Sequence, residues 1–157
     1  MDRIPMTAAG LKQLEAELRL LKDIERPAVT KAIGIAREHG DLKENAEYHA
    51  ARERQSFIEG RLLELEAIIS HSEVIDPSKL SGDVVRFGAK LLLVDEDTEA
   101  EKVYQIVGEH EADLSKGTIS VSSPLARVLI GRSLGDSVEV KAPGGSKFYE
   151  IVKVEYA

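Results

Sequence analysis

The stretch REHGDLKENAEYHAARERQ, residues 37–55, decides how the first half of the chain folds. Its Gly40-Asp41 pair is a helix-stop and turn signal between two segments with helical periodicity. If Asp41 caps the helix that follows, its carboxylate and that of Glu44 both lie at the first helical turn. The sequence therefore predicts a helical hairpin with negative charge at its tip.

Apolar residues recur at three- and four-residue spacing on both sides of this turn. Thr7 begins a helix-start signal, and Pro27 should kink the first helix or divide it into two pieces. The pattern predicts two antiparallel helices of about 28 residues, roughly 40 Å long at 1.5 Å per residue. The predicted inward positions are Leu11, Leu14, Leu18, Leu21, Glu25, Ala28, Ala32 and Ile35 in the first helix, and Ala51, Gln55, Ile58, Leu62, Leu65 and Ile69 in the second.

Both predicted helices are polar outside this narrow apolar stripe. One interpretation is an ordinary hairpin that is buried within a larger helical bundle. No third long helix is predicted that would cover more of the surface, so a protruding two-helix arm is favoured. We predict that residues 1–76 form this antiparallel coiled-coil arm, with the acidic tip near residues 37–55.

From Ser81 onward the pattern changes to short runs rich in β-branched residues, separated by turn signals. Residues 74–81 are the predicted linker, and residues 77–157 are the predicted second domain. The chain is therefore expected to be an α+β protein, with a small and mainly antiparallel sheet after the arm. The predicted elements are strands at 83–94, 102–108, 117–122, 136–142 and 147–156, and a short helix at 125–130.

Two loops of the second domain have some features of ligand sites but fit turns better. The acidic segment DEDTEAE, residues 95–101, lacks the glycine and the ligand spacing of a calcium loop, so a solvated turn is favoured. Gly144 and Gly145 lie near a lysine, but no helix follows them that would bind phosphate. They predict a hairpin turn instead.

The composition is that of a folded and acidic chain. Of its 157 residues, 43% are hydrophobic and 31% are charged, the net charge is −7, and there is no cysteine. This charge argues against an independent nucleic-acid binder, and the lack of cysteine excludes disulfides and thiolate metal sites. No apolar run is long enough to span a bilayer, and the N-terminus has no apolar signal core. We expect a cytoplasmic protein without a membrane partner.

The acidic and histidine side chains of the tip allow more than one role. Asp41 and Glu44 can together hold a divalent cation, but Mg²⁺ takes six oxygens, so another molecule would have to complete the site. Alternatively, Asp41 is only a helix cap and Glu44 only balances the helix dipole. His39 and His49 have no third ligand for zinc. No nucleophile–base pair is evident, so an autonomous hydrolase is not predicted.

The basic and aromatic residues of the same stretch also have two interpretations. Three arginines can hold a phosphate backbone, or they can form surface ion pairs of little energy with nearby glutamates. Tyr48 can stack on a nucleic-acid base or pack against the first helix. The arginines are Arg37, Arg52 and Arg54, and the glutamates are Glu38, Glu47 and Glu53.

Six segments, spread over almost the whole chain, resemble the Gre family of bacterial transcript cleavage factors. The tip segment is the longest and the most specific of them. They are residues 4–7 (IPMT), 40–53 (GDLKENAEYHAARE), 87–89 (FGA), 122–131 (SSPLARVLIG), 143–145 (PGG) and 154–156 (VEY).

This resemblance implies a function that the spacing alone does not show. In this family the helical arm enters the secondary channel of RNA polymerase. The tip acids, here Asp41 and Glu44, help to hold a catalytic Mg²⁺ that is shared with the polymerase. The polymerase's own active site then cleaves backtracked nascent RNA near its 3′ end, so the factor is not itself an enzyme. Arg37, Arg52 and Tyr48 are candidates for contacting that RNA.

The resemblance also implies an FKBP-like C-terminal domain that docks on the rim of the polymerase channel and lacks isomerase function. We expect a monomer. The alternative function is a secondary-channel regulator of transcription initiation that causes no hydrolysis. The intact pair of Asp41 and Glu44 favours transcript cleavage, because a protein that only binds the channel would not need both carboxylates.

Overall fold

The computed structural model describes residues 2–156, which divide into two compact units. The first unit runs over Leu11–Ser72, together with Asp2. The second unit joins Arg3–Gly10 to residues 73–156, so a short N-terminal segment belongs with the C-terminal part of the chain. Within the described residues, none of the helices combines the length and apolar character needed to cross a membrane.

The first helical segment is divided close to Pro27, as the sequence predicts. Helix α1 spans Ala8–Leu20, a π-helical turn spans Leu21–Glu25, and helix α2 spans Arg26–Arg37. Because proline has no N–H, it cannot continue the regular α-helical bonding pattern through this point. The backbone instead widens into one π turn, after which Pro27 occupies the first turn of α2.

The π turn shifts the buried face of this segment by one residue. The predicted inward positions Leu14 and Leu21 are buried. Beyond Glu25 the predicted positions are wrong, because the prediction extended a 3.5-residue period through a turn that spans one residue more than an α-helical turn. The buried residues of α2 are Val29, Ile33 and Ala36, whereas Ala28, Ala32 and Ile35 are exposed.

Helix α3 spans Ala46–Ser70 and runs antiparallel to the first segment. Two cross-helix ion pairs fix this direction, Arg61–Glu17 at 2.7 Å and Arg26–Glu59 at 2.9 Å. The hydrogen bond from Arg61 lowers the pKa of Glu17 below its usual value. The buried residues of α3 are Ile58, Leu62, Leu65 and Ile68, so the predicted stripe is confirmed except that Ile68 is buried in place of Ile69.

The second unit is built on a five-stranded sheet. Its strands are β3 Lys90–Asp95, β4 Glu101–Val107, β5 Thr118–Ser120, β6 Ser137–Ala142 and β7 Gly145–Glu155. They lie in the order β5-β4-β3-β7-β6. All neighbouring strands are antiparallel except β4 and β5, which are parallel, so the prediction of a mainly antiparallel sheet is confirmed. A short helix, α4 (Pro124–Leu129), begins at a serine cap and covers the core with Ala126 and Leu129.

The two loops that have features of ligand sites are turns, as predicted. Between β3 and β4, the buried Asp95 accepts the backbone N–H groups of Asp97 and Thr98 at 2.9 and 3.2 Å. These backbone bonds lower the pKa of Asp95. Between β6 and β7, Ala142 pairs with Gly145, whose φ of +116° suits a tight hairpin.

The segment Arg3–Gly10 is held by the carboxylate of Glu111. This carboxylate accepts the Thr7 N–H at 2.8 Å, the Thr7 hydroxyl, and the Gly108 N–H at 3.1 Å. Thr7 also caps α1 as predicted, since its hydroxyl oxygen accepts the Gly10 N–H at 3.1 Å. A Cβ atom at Gly10 would clash with the Glu111 carboxyl group, so a larger residue there would displace this carboxylate from its position.

Two further short strands lie outside the sequence prediction. Strand β1, Ile4–Met6, pairs with β2, Ser72–Val74. Each has only three residues, which is too short for an alternating pattern to stand out from its surroundings. The α+β class is confirmed by the helical hairpin and the mixed sheet.

Candidate functional site at the hairpin tip

The loop between α2 and α3 carries the candidate site. Gly40 has a φ of +100°, a left-handed conformation that glycine adopts at little cost where a chain reverses. One oxygen of the Asp41 carboxylate accepts the Lys43 N–H at 2.9 Å and closes a local turn. The Asp41 carboxylate is therefore a hydrogen-bond acceptor within the loop itself.

The prediction that Asp41 caps the second helix is wrong. Helix α3 begins later, at Ala46, and its cap is Asn45, whose Oδ1 accepts the Tyr48 N–H at 3.0 Å. The Asn45 Nδ2 donates to the Ala36 carbonyl at 2.6 Å, near the end of α2. Asn45 can thus make two bonds of opposite polarity, which a carboxylate at the same place could not do.

The same loop nevertheless brings the two predicted acids together. Asp41 and Glu44 are both exposed, and both line an open pocket of about 450 Å³ at the tip. They do so from the loop and not from the first turn of α3, where the sequence placed them. The remaining lining residues are His39, Asn45, Ala46 and Glu47.

Two exposed carboxylates in one pocket suit a hard divalent cation, because Mg²⁺ and Ca²⁺ prefer oxygen ligands. Among residues 2–156, no group of three or more His, Asp or Glu side chains is close enough to hold a metal ion. Asp41 and Glu44 could therefore supply only part of the coordination shell of such an ion.

The basic and aromatic candidates have different surroundings. The Arg37 guanidinium lies over the ring of the half-buried Tyr48, with 5.9 Å between the Arg37 Cζ and the ring centroid. The Tyr48 ring also meets that of His49 edge-on, at 5.5 Å between centroids. The contact with Arg37 places Tyr48 beside the end of α2, and its stacking on a nucleic-acid base stays a prediction. Arg52 is exposed and makes no ion pair with any residue in the range 2–156.

The predicted surface ion pairs at the tip differ from those observed. Arg54 pairs with Glu25, further along the arm, at 3.6 Å. Glu47 instead has the His39 ring nearby, with 3.7 Å between His39 Nε2 and Glu47 Oε2. Within the part of the chain that the structure describes, no arginine pairs with Glu38, Glu47 or Glu53.

Sequence reasoning did not assign Asn45 to the site, and it considered His49 only as a zinc ligand. The Nε2 of His49 lies 3.0 Å from the Lys43 carbonyl, in the middle of the loop. Asn45 had a signal that could have identified it, because asparagine is among the best helix caps and a helical run follows it directly. His49 had no such signal, since its partner is a backbone group.

Fold and site together define a class of α+β proteins in which a long helical hairpin presents an acidic loop. The chain belongs to the GreA/GreB family of transcription elongation factors. The family model "Transcription elongation factor, N-terminal" matches residues 4–74, and "Transcription elongation factor, GreA/GreB, C-term" matches residues 80–156. The resemblance seen in the sequence is confirmed.

Curated relatives match the chain from end to end. It is 65% identical over 156 residues to the transcription elongation factor GreA of Rhodospirillum rubrum, covering 99% of each chain. It is 63% identical over 157 residues to the GreA of Ruegeria pomeroyi, covering 100% of each.

Solved structures also match over nearly the full length. GreA factor homolog 1 (Gfh1) of Thermus thermophilus is 25% identical, with a TM-score of 0.44, and the match covers 98% of this chain and 99% of that one. The elongation factor GreA/GreB from Nitrosomonas europaea is 24% identical, with a TM-score of 0.44, covering 98% and 100%. The family assignment rests on the sequence matches and not on these superpositions.

Proposed function

We propose that this protein is a transcription elongation factor that acts on RNA polymerase. Its helical arm enters the secondary channel and stimulates the polymerase's intrinsic cleavage of backtracked nascent RNA near the 3′ end, which rescues arrested complexes. The observation that carries this proposal is the exposed pair of Asp41 and Glu44 lining one pocket at the tip. Membership of the GreA/GreB family supports it.

The tip acids have a defined part in this proposal. Asp41 and Glu44 would supply oxygen ligands to a Mg²⁺ whose other ligands come from the polymerase. When bound, such an ion supplies the charge that activates water or stabilises the leaving oxygen in phosphodiester hydrolysis. The chain itself contributes the placement of two carboxylates on a loop whose backbone is hydrogen-bonded to Asp41 and His49 and whose last residue, Asn45, bonds to the end of α2. It is thus a stimulating factor and not the enzyme.

The two parts of the chain have different functions in this proposal. The arm, predicted as residues 1–76, acts in the channel, and the C-terminal part, predicted as residues 77–157, docks on the channel rim. Support comes from the separate compact folds of the two units and from the separate family model that covers residues 80–156. The protein acts as a monomer that also meets the RNA 3′ end, with Arg37, Arg52 and Tyr48 as the RNA-contacting candidates.

A channel-binding regulator of initiation without hydrolysis is the competing function. It would need an arm of this length and a docking unit, but not two carboxylates that share one pocket. The pair of Asp41 and Glu44 favours the cleavage factor, and so does the elongation function in the family description.

The test is the rate of RNA shortening in stalled elongation complexes with Asp41→Asn or Glu44→Gln. Asparagine at position 41 keeps an oxygen that accepts the Lys43 N–H, so the loop is expected to survive while one charged ligand is lost. We expect cleavage stimulation to fall about tenfold or more at limiting Mg²⁺, which corresponds to about 1.4 kcal/mol. Raising Mg²⁺ should recover part of the loss, because mass action refills a weakened site.

Asp113→Asn is the matched control. Asp113 accepts the Ser115 N–H at 3.0 Å, two residues further along the chain, in the same kind of turn that Asp41 makes with Lys43. Its variant should cleave at the wild-type rate. Wild-type cleavage by Asp41→Asn, at limiting Mg²⁺ and equal occupancy of the channel, would eliminate the metal role of Asp41.

A further inference from the structure

Two side chains at the start of α3 bond to the rest of the hairpin tip, Asn45 to the end of α2 and His49 to the loop. Asn45 donates through Nδ2 to the Ala36 carbonyl at 2.6 Å and accepts the Tyr48 N–H through Oδ1 at 3.0 Å. It therefore joins the last turn of α2 to the first turn of α3. Asn45 is half-buried, whereas the acids that lie between the helices are exposed.

His49 fixes the centre of the loop. Its Nε2 lies 3.0 Å from the Lys43 carbonyl, and since a carbonyl can only accept, Nε2 carries the proton. The N–H of the same residue, Lys43, donates to Asp41 at 2.9 Å. Lys43 is thus held at both its backbone groups, directly between Asp41 and Glu44 in the chain.

We propose that Asn45 and His49 are positioning residues for the tip carboxylates. They order the loop in the free protein, so that Asp41 and Glu44 share one pocket before any partner binds. This inference rests on the proposed function, because it assigns these two residues to the same site. A ligand that binds an ordered loop does not pay the entropy of ordering it, and a catalytic ion then sits nearer to its productive geometry.

The bond from Asn45 to Ala36 separates this role from ordinary helix capping. A cap needs only the side-chain oxygen that accepts the Tyr48 N–H, and serine serves about as well as asparagine there. Serine is too short to reach the Ala36 carbonyl and adds no charge. Asn45→Ser therefore removes the bond across the hairpin and keeps the cap.

His49 offers a second and independent probe. Leucine at position 49 keeps apolar bulk but removes the donor to the Lys43 carbonyl. Glutamine keeps an amide nitrogen close to the place of Nε2, so it should restore the bond. His71→Leu is the matched control, because His71 ends α3 away from the tip, and its ring donates through Nδ1 to the Ala67 carbonyl of the same helix at 2.8 Å.

The experiment measures cleavage in stalled complexes together with amide hydrogen exchange of the free, metal-free protein. For Asn45→Ser and His49→Leu we expect the cleavage rate at saturating factor to fall about tenfold and the half-saturating Mg²⁺ to rise. The half-saturating concentration of the factor should not change. Exchange at residues 38–44 should accelerate about tenfold, since a loop without these bonds opens more often. His49→Gln should restore most of the wild-type cleavage rate, half-saturating Mg²⁺ and exchange rate. His71→Leu should match the wild type in all three.

Three results would overturn the proposal. Wild-type cleavage and exchange in Asn45→Ser would leave Asn45 as a helix cap only. A change confined to the half-saturating concentration of the factor would assign these residues to docking on the polymerase. Unaltered exchange in both Asn45→Ser and His49→Leu would show that the loop is ordered by other contacts. If the wild type itself failed to stimulate cleavage, the proposed function would fail, and exchange in the free protein would still decide the ordering.

Discussion

At the scale of single residues, the two arginines near the tip differ in what holds their side chains. Arg37 ends α2 with its guanidinium over the Tyr48 ring, so its position is supported by the hairpin. Arg52 lies on the exposed surface of α3. Positive charge on the two helices that flank the tip loop is expected to attract an RNA phosphate, because phosphate contacts position nucleic acid without reading its sequence.

We predict that Arg37→Glu and Arg52→Glu each reduce cross-linking of the tip to the RNA 3′ end and weaken cleavage severalfold. Binding to polymerase should be largely retained, as measured by competition with the wild type. Lys31→Glu makes the same charge change at an exposed position of α2 and serves as the control. Unchanged cross-linking in both arginine variants would show that Arg37 and Arg52 are surface charges that do not contact the RNA.

The cap of α3 shows, at the same scale, how a sequence can predict the right kind of capping residue at the wrong position. Aspartate and asparagine are both strong helix caps, and both precede the second helical pattern. The structure uses Asn45, because its amide can cap α3 and also donate to the Ala36 carbonyl. Asp41 instead closes its own turn, which leaves the acid at the tip and in the pocket.

At the scale of elements, the π turn at Leu21–Glu25 determines which side of α2 is buried. The predicted apolar pattern continues evenly past this turn, so it does not show that an extra residue enters the helix. The proline identifies the place of the irregularity but not its form, since a kink, a break or a wide turn all accommodate a missing N–H. Only packing against α3 selects among them.

Two isoleucines of α2 test this register directly. Ile33 is buried, whereas Ile35 is 48% exposed, although the unbroken pattern predicts the reverse. We predict that Ile33→Ala lowers the free energy of unfolding by about 2–5 kcal/mol and that Ile35→Ala changes it by about 0.5 kcal/mol or less. Urea denaturation followed by helical circular dichroism measures both. Equal losses, or a larger loss for Ile35→Ala, would contradict the shifted register.

At the scale of the whole molecule, the N-terminal segment Arg3–Gly10 belongs to the same unit as the sheet. Its link to Glu111 consists of two hydrogen bonds from Thr7 to one carboxylate, which also accepts the Gly108 N–H. Removing the acceptor would leave these partly buried donors without their partner, and an unmade bond of this kind costs more than a formed one contributes.

We predict that Glu111→Ala lowers the free energy of unfolding by about 1–3 kcal/mol. Thermal unfolding measures the loss, and proteolysis should cut the released N-terminal segment sooner than in the wild type. Glu109→Ala changes an exposed glutamate two positions away and is the control. If the two variants were equally stable, the contacts of Glu111 would be surface contacts of little consequence.

The proposed division of work is also a property of the whole molecule. We predict that residues 77–157 alone compete with the full-length protein for polymerase and stimulate no cleavage. Residues 1–76 alone should stimulate cleavage weakly at high concentration, because the tip remains and the docking part is gone. Circular dichroism must first show that each fragment is folded, since residues 77–157 lack the segment that Glu111 holds. Cleavage promoted by residues 77–157 would reverse the assignment.

The sequence by itself determined the hairpin, the break near Pro27, the α+β class and the acids at the tip. These depend on patterns that are local in the chain, namely helical periodicity, turn residues and caps, so each segment carries its own evidence. The family resemblance likewise follows from contiguous segments, above all residues 40–53. Asp41 and Glu44 were identified as candidates on this basis.

The tertiary structure alone decided the register of α2, the choice of Asn45 over Asp41 as the cap of α3, and the pocket that Asp41 shares with Glu44. It also decided that residues 3–10 join the sheet unit, through strands too short to show a pattern and through Glu111, more than 100 positions away. Each of these depends on groups that are distant in the chain or on backbone atoms that every residue has. Such partners leave no periodic trace in a sequence, because what selects them is the packing of the folded chain.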